Sequence, residues 1–319
     1  MVFVESPSAE RRTVVRAPNL HPIDTIAMDT WISIQVVSFA PASEVESAVR
    51  GALGWFDEVE RACSRFEPDS EVMRLGRTAE RWVPVSSLLL ESVDFALQLA
   101  RLTDGAFDPT IGGLLERRGF DRSYRTGNAI VSSPHAIPTY RDIQLCRSEG
   151  TIRLQHPLVL DLGAVVKGLA IDLVARDLLA HGFHSFSVDA GGDLYARGLN
   201  ANGQPWRVGV KHPRTDGLLP HLVPVTDGAV CTSGDYERRA PDGSAHVVDA
   251  RHGSDPTTAV TSVSVLAPTA MAADGLSTAA MLLGPVDGLS LLEHECVDGL
   301  LVLADGTTRT TGTSFGRVA

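Results

Sequence analysis

The sequence predicts an α+β fold of mixed and antiparallel sheets with helices packed between and around them. Two observations carry this prediction. Short strand signals cluster at hairpin-like spacing with helices grouped between them, whereas a doubly wound sheet would alternate strand and helix regularly. The one strand-turn-helix segment, residues 158–181, has too few glycines for a dinucleotide-binding fingerprint. With 319 residues, 44% of them hydrophobic, the chain can enclose a large core. It reads as a single domain over residues 26–319, with two intimately packed lobes as the alternative, after a loose Pro- and Arg-containing arm over residues 1–25.

The elements follow in order. In "TWISIQVV", Ile32, Ile34 and Val36 alternate with Ser33 and Gln35, the pattern of a half-buried strand. Val45, Val49, Leu53, Phe56, Val59 and Cys63 recur at helical spacing and predict a long amphipathic helix between Ser43 and Phe66. A second helix is expected over 86–103, with Gly105 supplying the left-handed cap. Residues 116–140 are polar and aperiodic, an excursion from the core. "DIQLCRSEGTIRLQ" then predicts a hairpin around Ser148, Glu149 and Gly150. An apolar strand from 158, a glycine turn, a helix over 164–181 stopped by Gly182, and a strand running into Gly191 and Gly192 come next. Shorter strands are expected at 206–211, 222–232, 245–249 and 260–267, then a helix from 270, another at 286–294 and a last strand at 299–304.

Charge narrows the function. The formal net charge is −11 with no basic stripe, so nucleic acid is not expected as a partner. An anionic ligand would need local neutralisation by placed cations, backbone N–H groups or a metal ion. Cys63, Cys146, Cys231 and Cys296 are far apart and follow no metal-binding spacing, so they read as buried reduced thiols. The first thirty residues hold no signal-like apolar stretch and no lipid-attachable cysteine, and no apolar run approaches the ~18–20 residues of a membrane span. A cytoplasmic location is expected.

"MAADGLSTAAMLL", residues 271–283, places Asp274 and Thr278 on one face of an apolar helix, one turn apart. A carboxylate and a hydroxyl so placed suit magnesium, which takes one or two side-chain oxygens and leaves the rest to water, carbonyls and substrate. The same spacing also allows Asp274 to cap the helix and Thr278 to bond back to a carbonyl. In "LDLGAVVKGLAID", Asp161 ends an apolar strand, Gly163 permits a tight turn, and Lys167 sits in the first turn of the following helix. That arrangement suits a phosphate or a polar ring, or else leaves a solvated lysine and an N-cap. "DAGGD" (189–193) and "CTSGDYER" (231–238, with Thr232, Ser233 and Gly234) are each either a turn or a ligand contact. His246 in "HVVDARHG" and Phe107 in "DGAFDPTIGGL" carry no decisive signal singly.

In this order, the motifs "SRFEPDSEVMRL", "DGAFDPTIGGL", "LDLGAVVKGLAID", "VDAGGDLYARG", "CTSGDYER", "HVVDARHG" and "AADGLSTAAMLLG" resemble those of the ApbE family, the FAD:protein FMN transferases, over residues 28–304. The resemblance implies an α+β fold with FAD held in a cleft and a magnesium ion. It also implies transfer of the FMN moiety through its phosphate to a Ser or Thr hydroxyl of an acceptor flavoprotein, with release of AMP. By that resemblance the metal ligands fall on Asp274, Thr278 and the Ala164 carbonyl. The FAD contacts fall on Met28, Ala106, Phe107, Asp108, Asp161, Lys167 and Val248, and the family's histidine matches His246. The incoming hydroxyl needs a proton acceptor, for which His246 and Asp161 are the candidates. Three departures stand out: Met28-Asp29-Thr30 where Met-Gly-Thr is usual, Gly76 in place of Asn, and Ala250-Arg251-His252-Gly253 in place of Pro-Arg-Thr-Gly. A magnesium-dependent FAD pyrophosphatase and a non-catalytic FAD carrier are the alternative functions.

Overall fold

The computed structural model describes residues 18–28, 30–122, 127, 129, 138–236, 245–253 and 259–316. An eight-stranded antiparallel sheet organises them. The chain enters it as a hairpin of β1 (Asn19–Ala27) and β2 (Thr30–Ser38), in register from Asn19 opposite Ser38 to Ala27 opposite Thr30. Residues 19–25, expected in a loose arm, are therefore sheet, while residues 1–17 of that arm lie outside the described residues. His21, Pro22 and Asp24 disguise the strand, yet β1 is an edge, where a residue lacking an N–H is tolerated.

Helix α1 (Ala42–Cys63) buries Val45, Val49, Phe56 and Val59, the stripe its periodicity predicts. The short α2 (Glu71–Gly76), capped by Ser70, was not legible in the pattern. β3 (Val83–Pro84) leads into α3 (Ser87–Leu102), N-capped by the Ser86 hydroxyl. The α3 terminus closes with Gly105 N–H donating to the Ala100 carbonyl at 2.8 Å, with Gly105 at φ 80° as expected of the left-handed cap. α4 (Gly112–Arg117) follows, overlapping the start of the segment expected to be an excursion, most of whose remainder lies outside the described residues. β4 (Ile143–Cys146) and β5 (Thr151–Leu154) form the expected hairpin, joined by β3 in a three-stranded sheet.

Residues 158–162, expected to be a strand, join no ladder. They are clamped instead: Leu158 N–H donates to the Gly76 carbonyl at 3.0 Å and Asp161 N–H to the Pro109 carbonyl at 2.8 Å. A Cβ at Gly76 would come within 2.5 Å of the Leu158 carbonyl oxygen, so the glycine found where the family usually has Asn is required by backbone contact.

α5 (Gly163–Ala180), β6 (Phe186–Ala190) and β7 (Asp193–Arg197) come next. The small two-stranded sheet of β8 (Trp206–Lys211) and β9 (Leu218–Val225) stands apart from the large one. The strand expected over 222–232 is thus two strands: β9 in the small sheet and β10 (Asp227–Gly234), which pairs with β7 in the large one. Residues 245–249 do not form the expected strand. Of the four cysteines expected to be buried, Cys63 and Cys231 are, whereas Cys146 near the β4–β5 turn is half-buried and Cys296 after α6 is exposed, both lying at the ends of elements rather than in the core. β11 (Val260–Ala267), α6 (Ala270–His294), β12 (Asp298–Leu303) and the unforeseen β13 (Thr308–Thr311) complete the order β1-β2-β6-β7-β10-β11-β12-β13.

α6 is the central helix. Among the described residues it alone is long and apolar enough to cross a membrane by length and composition, but it is mostly buried inside the fold. Gly284, at φ 83°, and Pro285 kink it where the two expected helices meet. Its amino end is held by Thr269, whose hydroxyl accepts from Ala272 N–H. Asp172 of α5 holds it as well, accepting from Ala270 N–H at 2.7 Å and Met271 N–H at 2.9 Å.

Burial pushes the Asp172 carboxyl up to about 6 against the lowering effect of these two N–H donors, with Glu91 and Asp274 adding repulsion. Between about pH 4 and pH 6 the folded protein therefore keeps a proton that the unfolded chain has released. The stability this group contributes is present at low pH and is lost as pH rises through 6. Asp172→Asn removes that dependence, so its unfolding free energy, measured in urea, should improve relative to wild type between pH 4 and pH 6. A difference independent of pH would contradict this.

Candidate active site

One cleft gathers residues from eight places in the chain: the β1–β2 turn, the segment after α1, the stretch from Phe107 to Phe120, the start of α5, the β6–β7 turn, the end of β10, the segment His246–Val248, and the face of α6. Of the eleven residues singled out in the sequence, ten line it: Met28, Phe107, Asp108, Asp161, Ala164, Lys167, His246, Val248, Asp274 and Thr278. Ala106 does not. It is fully buried behind the wall, where its carbonyl accepts from Ala250 N–H at 3.1 Å.

On α6, Asp274 is 5% and Thr278 9% exposed, and both face the cleft. Asp274 is not the helix cap, since that position belongs to Thr269. The Thr278 hydroxyl pairs with the Ser233 hydroxyl of β10 at 2.8 Å, and Ser233 also meets Ser277 at 2.8 Å. Lys167 reaches across from α5, its Nζ 3.8 Å from Asp274 Oδ2 and in direct ionic contact with Asp193. Asp193, 3% exposed, also accepts from Thr232 N–H at 3.0 Å, so it ties Lys167 to the end of β10.

The donor set fits a magnesium ion: a buried carboxylate and a hydroxyl one helical turn apart, with a second hydroxyl beside them, all hard oxygens. Among the described residues no group of three or more His, Cys, Asp or Glu side chains forms a complete cage. An ion here would therefore draw its remaining ligands from elsewhere, as magnesium at phosphate sites does.

At the start of α5, Asp161 Oδ1 accepts from Gly163 N–H at 2.9 Å and Oδ2 from Arg65 Nε at 2.5 Å. Burial acts to raise the Asp161 carboxyl, but Arg65 and the Gly163 N–H together hold it below its ordinary value, with His246 contributing in the same direction. Asp108 uses both oxygens internally: Oδ1 accepts from the Thr110 N–H and hydroxyl, Oδ2 from Tyr140 N–H at 2.8 Å. Burial raises its carboxyl despite those donors. Opposite, Phe120 packs against Leu115 and Val248, and its ring stands edge-on to His246 at 6.4 Å between centroids.

The glycine motif "DAGGD" is both things its sequence allows. Gly191 and Gly192, at φ 66° and 96°, turn β6 into β7, and Gly191 also lines the cleft. A Cβ on Gly191 would lie 2.3 Å from the Thr30 hydroxyl oxygen. Met28 takes φ 48° in the β1–β2 turn, a conformation that usually favours glycine, while the neighbouring Asp29 lies outside the described residues. The last two residues of "CTSGDYER" also lie outside them.

Sequence reasoning assigned no role to Arg65 or Asp193. Both stand inside recognised motifs, but what they do depends on partners distant in sequence.

The comparisons agree with this geometry. The model of the ApbE family matches residues 28–301. Relatives named FAD:protein FMN transferase include one from Vibrio cholerae, 31% identical over 81% of this chain and 80% of the relative, and one from Treponema pallidum, 32% identical over 92% and 87%. Among solved structures, the ApbE protein of Thermotoga maritima superposes with a TM-score of 0.82 at 29% identity, covering 94% of this chain and all of the other. The flavinyl transferase ApbE of Pseudomonas stutzeri, in its apo form, gives 0.81 at 27% identity, covering 96% and 99%. On its fold, its cleft and the matched span, the chain belongs to the ApbE family.

Proposed function

We propose that this protein is a FAD:protein FMN transferase, moving the FMN moiety of FAD onto a Ser or Thr hydroxyl of an acceptor flavoprotein and releasing AMP. The observation that supports it best is the convergence of Asp274, Thr278, Lys167 and His246 in one cleft. Membership of a family with curated flavin transferases supports the same reading.

Transfer between two oxygens at phosphorus asks a protein mainly for positioning and charge neutralisation. In a chain of net charge −11, a diphosphate needs local cations, and Lys167 is one. Asp274, Thr278 and the Ala164 carbonyl would hold magnesium, which when bound acts as a Lewis acid toward a diphosphate oxygen. The positive end of α5, at Gly163 and Ala164, faces the same space and favours anionic oxygens. His246 is the better proton acceptor for the incoming hydroxyl. Asp161 is engaged by Arg65, which holds its carboxyl below the ordinary value and makes it a weaker base. Phe107, Phe120 and Val248 offer an apolar wall for a flat ring.

Incubation with FAD, magnesium and an acceptor flavoprotein tests the proposal. Transfer predicts an acceptor mass increased by one FMN unit, with AMP in solution. Free FMN without modified acceptor would mean hydrolysis instead, and unchanged FAD would mean mere binding.

A further inference from the structure

Arg65 enters the cleft floor from the end of α1. Ser64 leaves that helix in an extended conformation, and the Arg65 side chain that follows is 5% exposed. Its guanidinium stacks 4.1 Å from the Phe66 ring centroid. Nε donates to Asp161 at 2.5 Å and Nη1 to the Phe120 carbonyl at 2.9 Å. These two acceptors belong to segments of the cleft lining that are distant in sequence. Asp161 fixes the first turn of α5 through Gly163 N–H, and that helix carries Ala164 and Lys167. Phe120 packs on Val248 and stands against His246.

From this two-handed geometry we infer that Arg65 is a positioning residue for flavin transfer, holding the start of α5, which carries Lys167, and the Phe120 segment, which stands against His246, in the relation that lets both reach one ligand. The inference rests on the flavin-transfer reading. Arginine suits the task because its planar fork reaches two acceptors at once, whereas lysine is a single point of charge. A buried ion pair is weak grounds for stability in itself, so the way Arg65 ties two lining segments of one cleft together is the more informative feature.

The test is a double-mutant cycle on the intact chain, using wild type, Arg65→Lys, Asp161→Asn and the double variant. Transfer kinetics at saturating magnesium and FAD dissociation constants are measured for each. Lysine keeps a positive charge beside Asp161, so the variant does not strand a carboxylate. Arg65→Lys should lower kcat roughly 10–100-fold, the scale of a misplaced site, while the FAD dissociation constant changes by less than about threefold. The double variant should lose clearly less than the product of the two single losses, because part of what Arg65 does runs through Asp161 and the rest through the Phe120 carbonyl.

Wild-type kcat in Arg65→Lys would overturn the inference, as would losses that multiply in the double variant. So would a weakened FAD affinity with unchanged kcat, which would make Arg65 a direct ligand contact. A wild-type protein that transfers no flavin would instead remove the reading beneath the inference, and the inference with it.

Discussion

Asp274→Ala should lower kcat/KM for flavin transfer by roughly 10³-fold or more, the equivalent of several kcal/mol of charge stabilisation at phosphorus. The cleft has little with which to compensate. Lys167 is already shared with Asp193, and Arg65 is committed to Asp161 and Phe120. Thr278 and Ser233 offer only neutral oxygens. The fold should survive, because the amino end of α6 is held by Thr269 and Asp172 rather than by Asp274, and alanine is the residue best tolerated in a helix. Steady-state transfer assays at high magnesium, with far-ultraviolet circular dichroism as a check on folding, measure both expectations. Near-wild-type turnover would remove Asp274 from the chemistry.

Gly168→Ala should be the most damaging single-methyl substitution in the α5–α6 interface. A Cβ at Gly168 would lie 2.5 Å from the Ala270 carbonyl oxygen and 2.6 Å from Met271 Cα, all of it backbone that cannot rotate aside. Alanine gains about 1 kcal/mol over glycine in helix propensity. Overpacking against backbone costs about 1–3 kcal/mol, and more where neither helix can retreat. Here it would push the first turn of α6 away from Asp172 and shift Asp274 relative to Lys167. The expected result is a net loss of stability in urea unfolding together with weakened activity. Gly54→Ala in α1 is the control: nothing lies within 4 Å of its added Cβ, so propensity alone should act and stability should hold or rise. A stabilised Gly168→Ala would show that the two helices are not locked at this contact.

These expectations separate what local pattern carries from what it does not. α1, α3 and the hairpin of β4 and β5 were legible because periodicity and turn residues act over a few neighbours. β1 and β13 were not, because edge strands can be polar and their pairing is decided by the partner strand. Residues 158–162 look like a strand because they are apolar, yet their backbone hydrogen bonds go to Gly76 and Pro109 instead of a ladder.

The site divides in the same way. Helical spacing alone puts Asp274 and Thr278 on a single face, but it fits a cap and a back-bonded hydroxyl equally, and a ligand role was implied only by the family resemblance. The Arg65–Asp161 pair spans 96 residues, and Lys167 meets Asp193 only once α5 packs on the sheet. No spacing rule reaches that far. Ala106 shows the converse: it lies within a matching motif, but its part is to hold the Ala250 backbone behind the wall.

On the proposed function, the cleft seats the diphosphate of FAD on an ion held by α6. A crystal grown with FAD and manganese, which shares magnesium's preference for oxygen ligands and scatters anomalously, tests it most directly. The predicted result is an anomalous peak within about 2.0–2.3 Å of an Asp274 carboxylate oxygen and the Thr278 hydroxyl, also bonded to a diphosphate oxygen. A peak remote from both residues, or FAD bound with its diphosphate away from α6, would contradict the claim.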